Sequence, residues 1–166
     1  MNKSITSANS VLIITAASDN VAVDIAGGTG IAALGALSGL LGVATTIEGW
    51  SSNNFLSAEQ QPSTEVQLGI DGLTHRGWVP SLTNVTINLY PDSPSQDYLE
   101  NLFVIQKEMR ESLLITGTLI IPALQKKYSL TRGALQAFTP LPGHGRVLQE
   151  QGSNFVFEKC IPAAYD

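Results

Sequence analysis

Few residues in this chain are of types that do chemistry, and their spacing limits what they could do. There are two histidines, His75 and His144, and one cysteine, Cys160. Asp71 and His75 stand four apart, a spacing that puts two metal ligands on one side of a helix. Gly72 lies between them and makes a turn, so a turn aspartate beside a surface histidine is the plainer reading. His144 sits between Gly143 and Gly145 in a loop, with no carboxylate near it in sequence. Cys160 follows Lys159, which would lower a thiol's pKa. Its place in a closing strand fits an inert, half-buried thiol better. Gly27-Gly28-Thr29-Gly30 has the glycines of a phosphate cradle but lacks the Lys-Ser/Thr ending that supplies charge and a metal ligand. No serine occupies a Gly-x-Ser-x-Gly elbow. A single cysteine leaves no intramolecular disulfide and no cysteine-clustered zinc or iron–sulfur site. The expectation is a protein that is not an enzyme, with no catalytic residue, no metal site and no cofactor. The alternative of a small enzyme would need a site built from unrecognised pieces.

Composition points the same way. Of 166 residues, 43% are hydrophobic and 14% charged, enough apolar material for one core and too little charge for a disordered chain. The formal net charge of -5 argues against a broad basic surface that grips nucleic acid. It is confined to one half: residues 1–75 hold one basic side chain, Lys3, against Asp19, Asp24, Glu48, Glu59, Glu65 and Asp71, while residues 76–166 balance. An acidic half can line a surface that repels phosphate, or simply solubilise. The opening MNKSITSANS is too polar for a secretory leader, so the expected setting is the reducing cytoplasm.

The elements that must position any site are mostly strands. Ser10–Ala17 is β-branched and apolar, and runs into the turn Ser18-Asp19-Asn20, with Val21–Ile25 as a hairpin partner. Residues 48–64 read as a long loop with isolated Trp50 and Phe55. Val66, Leu68 and Ile70 alternate with Glu65, Gln67 and Gly69, and Asp71-Gly72 signals a tight turn to a partner strand over Leu73–Val79. Asn84–Tyr90 alternates with Val85, Ile87 and Leu89 inward. The spacing predicts a single helix over 94–110, with Ser93 as cap, Pro94 at the first position and Gln96 completing a capping box. Its apolar stripe is Leu99, Leu102, Phe103 and Met109. Strands follow at Leu113–Thr116 and Thr118–Ile121 around Gly117. Lys127–Phe138 is a long one, with Gly133 as a bulge or close-approach site. Asn154–Ile161 closes the chain.

One stretch fits none of this. Ile25–Ile47 is 23 residues without a charge and with six glycines. It is long and apolar enough for a membrane span, and Gly35-xxx-Gly39 is a small-xxx-small pattern. The glycines weaken any helix and no basic or aromatic flank is present, so a membrane partner is not expected. A membrane-associated protein using 25–47 is the rival reading. Ile31, Leu34, Leu37, Leu40, Leu41 and Val43 are instead expected to form an inter-subunit or inter-ring contact.

Taken in order, Glu65–Leu102 gives a strand ending in Gly69-Ile70-Asp71-Gly72, then Arg76, then the strand Val85-Thr86-Ile87-Asn88-Leu89. Ser93-Pro94-Ser95 then opens a helix bearing Leu99 and Leu102. This order resembles the tail-tube proteins of contractile and long-tailed bacteriophages. Lys127–Gly133, Pro140–Gly145 and Asn154–Glu158 resemble the family's long strand, loop and closing aromatic strand, so the likeness spans about 45–162. The resemblance implies a mainly β domain over 1–166: two packed antiparallel sheets, barrel-like, with one flanking helix and an apolar insertion at 25–47. It implies homo-hexameric rings that stack into, or cap, a tube through which DNA passes. The runner-up is an adaptor ring at the baseplate or tail end. Implied partners are copies of itself and sheath, baseplate or tube-end proteins, assembled in the host cytoplasm and carried in the virion tail. Under that reading Glu48, Glu59, Glu65 and Asp71 are candidates to face the lumen and keep DNA from sticking.

Overall fold

Alternating residues build the main sheet. The computed structural model describes residues 7–17 and 40–165. The strand expected over Val21–Ile25, the glycine run at 27–30, and Ile31, Leu34 and Leu37 lie outside the described residues. The strands are β1 (Val11–Ala17), β2 (Ala44–Ile47), β3 (Leu56–Ala58), β4 (Thr64–Leu68), β5 (Thr74–Trp78), β6 (Thr83–Leu89), β7 (Leu114–Ile121), β8 (Lys126–Phe138) and β9 (Gln151–Ala164), with helix α1 at Pro94–Met109. Seven strands form one sheet in the order β2-β1-β7-β8-β9-β6-β3, and β4 pairs β5 in a separate hairpin. Every pairing is antiparallel.

Two long strands carry the sheet round its core. β7 pairs with residues 126–133 of β8, while β6 pairs with residues 151–157 of β9, so β8 and β9 serve two wings. β8 bulges twice, between its registers with Ile115 and Gly117 of β7 and again near Leu135–Ala137 against β9. Bulges bend a strand and raise its twist, which lets both wings face one cluster. Leu12 and Ile14 of β1, Ile115 and Leu119 of β7, Val85, Ile87 and Leu89 of β6, and Phe155 and Phe157 of β9 all belong to it. Gly133 sits at the first bulge, opposite Phe157. A Cβ there would lie 2.5 Å from Cε1 of Phe157 and closer still to Cδ1, so only glycine fits. The expected bulge and the expected close approach are both found at that residue.

α1 closes the cluster. Tyr98, Leu99, Leu102 and Ile105 are buried, each contributing about 1.5–3 kcal/mol if fully withdrawn from water. Phe103 and Met109 pack half-buried at the cluster's rim, and Phe103 stacks on Phe138 with centroids 5.2 Å apart. The sequence stripe omitted Ile105, which completes the buried face. Ser93 caps the helix: its Oγ accepts from the Ser95 N–H at 3.2 Å and donates to the Glu48 carbonyl at 2.6 Å. Gly49 makes this possible. Its φ is +72°, and any Cβ would collide with Ser93. The expected capping box does not form. Gln96 is buried with neither side-chain atom hydrogen-bonded, and the Ser93 N–H is taken by the Tyr90 carbonyl. The helix stops at Met109, with Arg110 in the left-handed region as its C-cap.

Three other expectations shift. The two strands drawn around Gly117 are one strand, β7. The loop over 48–64 contains β3, three residues paired with β6. The end of the apolar run, Ala44–Ile47, is β2, paired with β1.

Candidate functional site

The described residues include the chemistry-bearing side chains Asp71, His75, His144 and Cys160. No group of three or more His, Cys, Asp or Glu converges among the described residues. Asp71 Oδ1 accepts from the Leu73 N–H at 3.1 Å, the bond of a turn aspartate. His144 is exposed in the 139–150 loop and takes part in an isolated bridge with Leu148. Cys160 is exposed rather than half-buried, and desolvation raises its thiol above the ordinary value. No helix among the described residues is long and apolar enough to cross a membrane.

What the chain offers is surface. The β4–β5 hairpin stands apart from the main sheet, and all its strand residues are exposed. The register Thr64↔Trp78, Val66↔Arg76, Leu68↔Thr74 puts Val66, Leu68 and Trp78 on one side. Glu65, Gln67 and His75 take the other. Ile70 and Leu73 flank the turn at its tip. Exposures of 62% for Val66, 74% for Leu68, 111% for Ile70, 63% for Leu73 and 78% for Trp78 leave an apolar arm in water. Patches of this kind mark interaction sites.

A second feature lies at the foot of the arm. Leu82, Leu114, Ala134, Val156 and Phe157 line a groove of about 370 Å³ where β8 bulges at Gly133. Arg132 and Glu158 border it and pair at 3.1 Å. A third feature is an edge. β6 stops pairing at Phe157, so residues 158–164 of β9 have β8 on one side and no strand on the other among the described residues. Such an edge is a template for another strand.

The outward faces of β1, β6 and β7 carry Ile13, Thr15, Asn84, Thr86, Asn88, Thr116 and Thr118, without charge. The four acidic residues singled out in the sequence are exposed but not gathered in one place. Glu65 and Asp71 are on the arm. Glu59 follows β3 and accepts from Asn84 Nδ2 at 2.8 Å. Glu48 lies beside the start of α1, its N–H donating to Ser95 Oγ at 2.7 Å. Of the expected apolar contact segment, Leu40 and Leu41 pack partly against the chain's own core and Val43 is 52% exposed.

A family model described as tail fiber protein gp32 matches residues 23–161. The chain belongs to that family. It is a phage-tail-type protein, in keeping with the resemblance carried by Glu65–Leu102. No curated protein matches the chain in sequence. Among solved structures, the fold is similar to a chain in the sheath/tube terminator of the PVC extracellular contractile injection system in its extended state. There the TM-score is 0.52 and identity 12%, over 99% of each chain. It is also similar to a chain in the six-fold symmetrised baseplate of the anti-feeding prophage, with TM-score 0.51 and 8% identity over 99% of this chain and 98% of that one. At such identities the likeness is one of fold. The arm and the open edge were not among the candidates read from the sequence. Alternation in 65–70 is plain there, but nothing in it indicates that the apolar side meets no partner among the described residues.

Proposed function

We propose that this protein is a structural, non-enzymatic subunit of a phage-type tail that assembles into rings of six around a central lumen. The rings form or cap the tube through which DNA passes, at the tube itself or at its baseplate or terminator end. The observation that carries this reading is the open edge of β9 together with the apolar arm: among the described residues nothing covers either. Edge-to-edge joining would extend the sheet from one subunit to the next. Membership of a tail family and the fold shared with a terminator and a baseplate chain support that setting, with sheath, tube or baseplate proteins as partners. Residues 31–43 add a contact between subunits or rings, in which Val43 is available and Leu40 and Leu41 are partly engaged with their own core. Of the four acidic candidates, Glu59 is the one we place nearest the lumen, because it is bonded to an outward-facing residue of β6.

Sedimentation and negative-stain microscopy of the purified protein test the reading. Six-fold rings or stacked tubes are expected. A monodisperse monomer at tens of micromolar, about the range in which weak assemblies still form, would overturn it.

A further inference from the structure

We infer that the tip of the β4–β5 arm of one copy docks in the groove at the foot of the arm of a second copy. This rests on the ring-forming reading above and names one of its contacts. The knob is Ile70, flanked by Leu68 and Leu73, the most exposed run of large aliphatic side chains among the described residues. The hole is the groove lined by Leu82, Leu114, Ala134, Val156 and Phe157, beside the bulge where Gly133 lets the Phe157 ring lie against β8.

Charge agrees with this occupant. Asp71 stands beside the knob, and Arg76 shares the arm's apolar side with Val66. The groove is bordered by Arg132 and Glu158, both well exposed. Asp71 can therefore meet Arg132, and Arg76 can meet Glu158. Geometry excludes self-docking. Leu82 follows Trp78 by four residues, so the groove lies at the arm's base. Eight residues separate Trp78 from Ile70, and in extended pairing at about 3.3 Å per residue the tip is held on the order of 25 Å away. A knob at one end of the arm and a hole at the other make a heterologous contact. It satisfies neither copy completely and so repeats from subunit to subunit.

The test uses complementary half-blocked chains. Leu68→Asp with Ile70→Asp disables the arm, and Leu82→Arg disables the groove. All three positions are exposed, so each variant should keep the cooperative unfolding of the main sheet. Each alone should lose assembly, and an equimolar mixture should give a 1:1 dimer that grows no further. Charge reversal supplies the second arm. Asp71→Arg and Arg132→Asp should each weaken association about tenfold, and the double variant should recover to within about threefold of wild type. Normal assembly by the half-blocked chains, or no dimer in the mixture, overturns the docking while leaving the ring reading intact. A wild-type chain that stays monomeric overturns both.

Discussion

Replacing Gly133 by alanine adds a single methyl group at the crowded centre of the fold. The new Cβ would lie 2.5 Å from Cε1 of Phe157 and nearer still to Cδ1, well inside contact distance. The ring has little room to retreat. Phe157 is 2% exposed and stacks on Phe155 at a centroid separation of 6.3 Å. Relief must come from the backbone of β8 or β9, so the cost should reach the upper part of the overpacking range, about 2–3 kcal/mol. For a domain of this size that lowers the melting temperature by about 4–12 °C. Two comparisons isolate the cause. Gly77→Ala places a Cβ in open space and should melt as the wild type does. In a Phe157→Leu background, the penalty of Gly133→Ala should fall below about 1 kcal/mol, because the obstructing ring atoms are gone. Thermal and urea unfolding followed by far-UV circular dichroism gives the stabilities of the wild type and all these variants. A melting point for Gly133→Ala within about 1 °C of wild type, or strict additivity with Phe157→Leu, would refute the close-approach reasoning.

Further outcomes follow from the same geometry. Leu102, fully buried under α1, should cost about 2–5 kcal/mol as Leu102→Ala in urea unfolding, and a change below about half a kcal/mol would show the helix face misassigned. The Arg132–Glu158 pair is exposed, so Arg132→Ala should move stability by no more than about 0.5 kcal/mol. Tyr98 is buried, and burial raises its phenol above 10.0 despite opposing hydrogen bonds with Thr45 and the Ala16 backbone. The unfolded chain then loses that proton first, so stability present below pH 10 declines above it, and Tyr98→Phe should flatten the alkaline limb. Tyr90 is shifted the other way by its bonds to Ser52. Ultraviolet titration should find one phenol ionising early in the wild type, returning toward the ordinary range in Ser52→Ala.

Much of this fold could be read in the residues because local chemistry and tertiary context agree there. β6 alternates as Thr83-Asn84-Val85-Thr86-Ile87-Asn88-Leu89, and the inward set is buried without exception. Ser93-Pro94 begins a helix because a hydroxyl cap and a fixed φ serve the first turn wherever it packs. The failures occur where a distant residue outbids a local one. The Ser93 N–H could have gone to the Gln96 side chain, but the Tyr90 carbonyl is already in place for it. β3 is three residues long and owes its extended form to β6. β2 closes a glycine-rich apolar run whose composition pointed to no strand, and pairing with β1 decides its conformation.

The arm shows where reading of this kind stops for a physical reason. Val66, Leu68 and Ile70 alternate as cleanly as Val85, Ile87 and Leu89, and both strands find an antiparallel partner. In β6 the apolar side joins the buried core cluster and disappears from solvent. In β4 the same pattern stays wholly exposed. Period-two alternation selects which side of a strand seeks cover, but carries no information about what supplies it. A two-stranded hairpin in isolation is only marginally stable in water, so a second surface must help hold this one, and among the described residues none covers it. The docking proposed above would make the apolar residues of β4 and β5 half of a core whose other half belongs to a neighbouring subunit. On this view the stability of the arm and the assembly of the protein are one equilibrium, and a substitution at Leu68 should move both together.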